Sequence, residues 1–267
     1  MAAAIVVLVG LGAFCGWRYY SDVYVPNRQI TDAEREQREL FQTLKPDLAP
    51  PTPATPAAQE PSGTASAQAA DGISGGSTVN WVQTLTEKNG GSVGWITIDG
   101  TVIDYPVVQA SDNAYYLDHG FDGDYNYGLG CPFLDYRCKG DFSDFNSIIY
   151  AHHIQGYQAL FSDITLYKDS SFMEQHPAGT LLTGNGARKV RFFAYMLIPN
   201  PSFAYSTGIA KKSERDGYID GIFEEAVYTT GYTAEELKKK DDLHLLLLST
   251  CAYEFWNARG VLAGVIE

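Results

Sequence analysis

Hydrophobic and polar positions along the chain change pattern several times, and each change marks an element. Ala2 to Trp17 is sixteen residues without a charge, followed by Arg18, Tyr19 and Tyr20 where an aromatic interface belt would stand. A membrane span needs about 20 apolar residues, with about 17 the lower limit. A cleaved signal peptide is the rival reading, but a basic leader is missing and Ala-x-Ala occurs only before the apolar run. The run therefore predicts an uncleaved single-pass anchor over residues 1–20, with orientation left open because no Lys or Arg precedes it. Thr31 to Leu44 predicts a short juxtamembrane helix, with Thr31 and Glu34 as a capping-box pair and its charges on a solvated face.

From Pro46 to Thr78 the periodicity vanishes. These residues include six prolines and no aromatic, Lys or Arg, so they cannot bury enough apolar surface to fold and read as an extended linker. Residues 21–78 thus form helix plus linker, and the folded domain is expected at 79–267. Ser77 to Glu87 predicts an opening helix with Trp81, Val82 and Leu85 on one face. Val93 to Ile98 and Thr101 to Val108 alternate around Asp99-Gly100, a two-residue hairpin signal. Six more strand runs follow: Cys131 to Tyr136, Ser147 to His152, Gly179 to Thr183, Val190 to Ile198, His244 to Thr250 and Arg259 to Ile266. Helical patterns intervene at Gln158 to Tyr167, Glu214 to Tyr228 and Thr233 to Lys240. Strands dominate and no βαβ rhythm or internal repeat recurs. The expected class is mainly β with helices (α+β), a closed or nearly closed barrel decorated by helices.

Composition narrows the function. Nineteen Lys and Arg against 32 Asp and Glu give a net charge of −13, which repels phosphate backbones, and no basic patch offsets it. Nucleic acid is not an expected partner. Four cysteines are too few for a disulfide-built scaffold, and Cys131 and Cys138 lie too far apart on one extended strand to pair without a turn, so free thiols are expected. The chain contains neither Cys-x-x-Cys nor a glycine-rich phosphate loop.

Candidate chemistry lies at two strand ends. Leu245 to Leu248 make a buried strand that Ser249 and Thr250 bring to the surface, leaving Cys251 at the mouth of a pocket. The next strand starts near Arg259. If the two pair antiparallel, Arg259 lies opposite Ser249 to Cys251, where a cation lowers a thiol pKa and stabilises a negatively charged oxygen. Ser147 to Tyr150 form a second buried strand, ending in His152 and His153. Alternation lets only one of the two rings face the pocket, which disfavours a metal site built from both. A Cys, a His and an Arg at strand ends suit acyl transfer.

These residues resemble a class B sortase, a membrane-tethered cysteine transpeptidase of Gram-positive bacteria. Leu248-Ser249-Thr250-Cys251 with Arg259 is similar to the family's cysteine signature. Tyr150-Ala151-His152-His153 is similar to its histidine signature, with Ala where Gly is usual. Gly94-Trp95-Ile96, Thr101 to Gln109, Asp112-Asn113, Tyr115 to Leu117 and Phe133 to Arg137 resemble the family's opening, so the likeness spans roughly Trp81 to Ile266.

The resemblance implies an eight-stranded barrel with N-terminal helices and a helix, Glu214 to Tyr228, in the connection before the Cys strand. It implies Cys251 as nucleophile, His152 as general acid/base, Arg259 as oxyanion or carbonyl stabiliser, and Ser249 and Thr250 in the substrate site, with no cofactor and no metal. Expected partners are secreted proteins with a C-terminal sorting motif, in relatives of the Asn-Pro-x-Thr type, and a peptidoglycan amine or a pilin lysine. The expected location is a cell membrane, with the catalytic domain extracellular. A catalytically silent wall-binding module is the alternative that the intact Cys, His and Arg set argues against. His119, His176 and His244 are expected at surfaces or turns, His153 as a packed neighbour, and Asp118 to Asp124 as a polar loop.

Overall fold

The alternating stretch that opens the domain forms an antiparallel pair, β1 (Ser92–Thr97) and β2 (Asp104–Val108), with Trp95 opposite Pro106. Its turn is wider than expected, because the strands stop at Thr97 and resume at Asp104. Gly100 takes the left-handed conformation there, with φ 76°. This computed structural model describes residues 25–45 and 75–267.

The pair extends into a ring in the order β5 (Ala178–Thr183), β1, β2, β3 (Phe133–Leu134), β4 (Asn146–Tyr150), β8 (Leu245–Cys251), β9 (Ala258–Ile266) and β6 (Gly186–Pro199). Pairing of β5 with β6 closes it into the eight-stranded barrel expected from the sequence. A further strand, β7 (Ala226–Thr229), lies on the outer edge of β6 with Tyr228 opposite Tyr195. The sequence pattern Glu214 to Tyr228 predicts helix through most of that segment. The helix, α4 (Lys212–Glu225), instead stops at Glu225, where β-favouring Val227, Tyr228 and Thr229 find a partner edge. The helix expected at Gln158 to Tyr167 is largely irregular and contains a 3-10 segment, Ser162–Lys168. It leads into α3 (Ser170–Gln175), which is capped by Asp169. The expected Thr233 to Lys240 helix is α5 (Ala234–Lys238), opened by a Thr233/Glu236 capping box.

The unbroken leucine run of β8 is explained by burial on both faces. Leu246 and Leu248 join Trp95, Ile149 and Tyr195 in one buried cluster. Leu245 and Leu247 point the other way, into a second cluster with Ile219 and Ile222 of α4. The helix before the Cys strand is thus the lid of the barrel's outer face.

Two expectations about the N-terminal part are corrected. The single-pass anchor, and with it the cell-membrane placement, is not supported: among the described residues no helix is long and apolar enough to cross a membrane. Ala2 to Trp17 lies outside the described residues, and its sixteen uncharged residues fall short of the about 20 a span requires. The helix expected from Thr31 is α1 (Val25–Leu44), which starts earlier, and its inner face is packed on the barrel. Phe41 is 4% exposed and meets Trp95, Tyr105 and Phe121 edge to face, with centroids 5.8–6.2 Å apart. Lys45 pairs with Asp104, and the Trp81 indole N–H donates to the Leu44 carbonyl at 3.1 Å. Trp81 sits on α2 (Gly75–Lys88), so the last residues assigned to the linker belong to this helix. The rest of the linker, 46–74, lies outside the described residues.

Phe41 supplies a test. Replacing it with Ala removes a buried aromatic from three partners, so stability should fall by about 3–5 kcal/mol. Urea unfolding of the full chain measures this, and a loss under about 1 kcal/mol would mean that α1 does not belong to the cooperative unit.

Candidate active site

Register alone brings the cysteine and the arginine together. β8 and β9 pair antiparallel with Ser249 opposite Val261, Thr250 opposite Gly260 and Cys251 opposite Arg259. The connection 252–257 is short enough to force this pairing. The Ala252 N–H donates to the Ala258 carbonyl at 3.0 Å, and Asn257 turns the chain with φ 62°, a conformation Asn tolerates. Cys251 and Arg259 are both half-buried.

The histidine arrives from the other side of β8. β4 runs parallel to β8, with Tyr150 beside Ser249. Two further bonds continue the zipper past the strand end: the Ala151 N–H donates to the Ser249 carbonyl at 3.2 Å, and the Thr250 hydroxyl donates to the Ala151 carbonyl at 2.8 Å. His152 therefore opens into the same cleft as Cys251 and Arg259, a concavity of ≈ 440 Å³. His153 turns away. Its Nδ1 meets the Cys251 carbonyl at 3.2 Å, and its ring packs on Tyr253 at 5.2 Å.

A backbone carbonyl sets the orientation of His152. Its Nε2 lies 2.8 Å from the Leu117 carbonyl oxygen. A carbonyl only accepts, so Nε2 carries the proton and Nδ1 is left as the basic nitrogen. Leu117 closes a 3-10 turn, Tyr115–Leu117, that Asp112 pins by accepting the Ala114 and Tyr115 N–H groups at 2.7 and 2.9 Å. Those two bonds hold the Asp112 carboxyl below its ordinary pKa.

Ser249 and Thr250 line the cleft but are 1% and 3% exposed. The Ser249 Oγ lies 3.1 Å from the Tyr205 hydroxyl, and the Thr250 hydroxyl is committed to Ala151. Burial raises the Tyr205 pKa against the opposing pull of Ser249 and the Arg259 charge, so Tyr205 meets Ser249 as a neutral hydroxyl.

No protein-family model matches the chain. It is 31% identical over 182 residues to sortase B of Listeria monocytogenes, an alignment covering 67% of this chain and 71% of that protein. The chain belongs to the sortase B family. Its activity is that of a sortase-type cysteine transpeptidase. Solved structures share its fold, among them these two. The sortase B–substrate complex of Staphylococcus aureus is 23% identical with a TM-score of 0.63, covering 71% of this chain and 86% of that one. A Streptococcus pyogenes class B sortase involved in pilus biogenesis is 27% identical with a TM-score of 0.61, covering 69% and 97%.

Other parts of this sortase's cleft escaped residue-by-residue reading. Asn113, Arg137, Tyr150 and Tyr205 line it as well. Three of them converge on Asp135, which is fully buried. It accepts from Arg137 Nε and Nη2 at 2.9 and 2.7 Å, from Asn113 Nδ2 at 3.0 Å and from the Tyr150 hydroxyl at 2.9 Å. Burial by itself would raise the Asp135 pKa; the bonds from Arg137, Asn113 and Tyr150 outweigh it and keep the carboxyl below its ordinary value. The signal available in sequence was an acid two residues before an arginine at the end of an apolar strand.

The remaining expected bystanders sit apart from the cleft lining. Cys131 and Cys138 are free, buried thiols. Burial pushes Cys131 up and Cys138 to about 12, so neither is a thiolate at neutral pH. His119, His176 and His244 bond the carbonyls of Tyr115, Asp99 and Asp144 in loops or at strand starts.

Proposed function

We propose that Cys251 is the nucleophile, His152 the general acid/base and Arg259 the oxyanion donor in cleavage of a sorting peptide at a Thr–x bond. The observation that carries this reading is the meeting of all three side chains in one cleft, with Cys251 and Arg259 directly opposed in register. The Cys251 thiol passes its proton to Nδ1 of His152 as its sulfur forms a bond to the Thr carbonyl carbon, and the developing oxyanion takes donors from the Arg259 guanidinium. As the C–N bond breaks, His152 gives the departing amine a proton and a thioester remains. An acceptor amine then attacks the thioester, His152 takes its proton, and the departing Cys251 sulfur takes that proton back as the C–S bond breaks. Ser249 and Thr250 form the substrate-side floor, where their committed hydroxyls keep the strand ends rigid beneath the peptide. We assign 79–267 as the catalytic domain, with α1 packed against it.

The sorting motif, in the family's Asn-Pro-x-Thr style, and a peptidoglycan amine as acceptor belong to this proposal. A pilin lysine is the second reading, favoured by the likeness to the Streptococcus pyogenes enzyme involved in pilus biogenesis. A sorting-peptide assay with and without added amine separates them. Cleavage with transfer to a wall-type amine supports the first reading, transfer only to a pilin lysine supports the second, and peptide binding without cleavage would leave a silent module.

Arg259 gives a further expected outcome. Arg259→Ala should lower turnover about 10²–10³-fold, roughly 2.7–4 kcal/mol, the effect of losing one oxyanion donor. Arg259→Lys should recover little, because a mobile point charge replaces a planar fork of five donors. Near-wild-type turnover of the Lys variant across pH would reduce Arg259 to a background charge on the thiol.

A further inference from the structure

A second guanidinium faces this cleft. Arg137 lines it with a side chain 40% exposed, while its partner Asp135 is 0% exposed. Two of its three nitrogens are committed: Nε and Nη2 grip both carboxylate oxygens, and Nη2 also donates to the Tyr205 carbonyl at 3.1 Å. The backbone N–H of Arg137 donates to the same carboxylate at 3.0 Å. Folding has therefore already frozen this side chain, and the rotamer entropy that normally opposes arginine binding is not lost again when a ligand arrives. Among the described residues Nη1 has no hydrogen-bond acceptor, so its two N–H groups are the open edge of a fixed fork.

The charge around that edge selects the ligand. Asp135 keeps its negative charge, so the Arg137–Asp135 pair sums to zero, and a second carboxylate brought to Nη1 would meet Asp135 just behind it. A carbonyl oxygen has no such penalty and accepts a charge-assisted bond.

We infer that Arg137 is a substrate-binding residue of the cleft, a preset donor for a neutral carbonyl oxygen of the sorting peptide, in its backbone or in a side-chain amide. Asp135 is its positioning residue. The inference rests on the sortase reading of the site and names a contact which that reading leaves open.

The rival is a strut that merely ties the Tyr205 connection to the strand end at Asp135. Peptide affinity on the Cys251→Ala background reads Arg137 without any chemistry, and cleavage by the otherwise wild-type chain reads the chemistry separately. Adding Arg137→Ala or Arg137→Lys to the Cys251→Ala chain should weaken peptide binding about tenfold or more, the usual size for a bond from a charged donor. With Cys251 present, the same two substitutions should raise KM by a similar factor and leave kcat within about threefold. Iodoacetamide alkylation of Cys251 without peptide should stay at the wild-type rate, while the melting temperature of both variants should fall, because the buried Asp135 carboxylate loses its bidentate partner. A peptide with aspartate in place of the motif asparagine should bind the Arg137 protein no more tightly than the original. Unchanged affinity in both Arg137 variants overturns the inference. A loss of affinity matched by altered alkylation establishes the strut and also overturns it, as does tighter binding of the aspartate peptide. Failure of the wild-type chain to cleave, with affinity still dependent on Arg137, would count against the transpeptidase roles and not against this contact.

Discussion

Replacing Cys251 with alanine is expected to abolish peptide cleavage while the protein stays folded. The half-buried thiol stands at the last position of β8, where the side chain faces the cleft and not the core. Removing one sulfur there costs little packing, so the change in stability should be modest, about 1 kcal/mol or less. The catalytic loss has no such limit. In enzymes whose nucleophile and base act as a unit, deleting the nucleophile lowers turnover about 10⁶-fold, which places the Ala variant at or near background. Cleavage rate and thermal melting measured side by side check both halves. Because Cys131 and Cys138 are buried with raised pKa values, a thiol-directed reagent should modify Cys251 first among the described cysteines and inhibit the wild-type chain in step with that modification. Appreciable cleavage by the Ala variant would sink the thiol mechanism.

The paired histidines should separate cleanly. His152→Ala is expected to lower turnover by about 10²–10⁴-fold, the range of a general acid/base. His153→Ala should cost far less, because its ring lies against Tyr253 and contacts the backbone of Cys251 and not the cleft. Its loss still loosens the 252–257 connection, because the ring packs on Tyr253 and its Nδ1 meets the Cys251 carbonyl, so a small rise in KM is expected. Comparing kcat and KM for the two variants decides the assignment. The opposite order of effects would move the acid/base role to His153 and reject the tautomer derived from the Leu117 carbonyl.

Much of this molecule is legible from local pattern. Seven of the runs read as strands are strands over most of their length, because half-buried alternation and a bilaterally apolar leucine run report burial directly. The eighth, around Phe133–Leu134, shrinks to two residues, since its flanks are spent on turns that aim Asp135 inward. The pairing of Cys251 with Arg259 is likewise local: a short antiparallel connection fixes register, and register fixes which side chains face each other. His152 at a strand end carries its own signal for the same reason.

Other features needed the three-dimensional arrangement. A polar-looking helix reads as solvated until the barrel presents Trp95, Tyr105 and Phe121 to its Phe41. The strand 226–229 exists because β6 offers it an edge, while its sequence alone continues a helix into it. Asn113, Arg137, Tyr150 and Tyr205 come from four separate segments, and the buried charge of Asp135 gathers three of them only after the strands have closed. The sequence by itself therefore determined the strands, the catalytic candidates and the register at Cys251, all of which depend on neighbours a few residues away. Tertiary structure decided the packing of α1, the last strand of the sheet and the polar wall of the cleft, because a buried carboxylate and an aromatic ring acquire their partners only from chain segments that folding brings close.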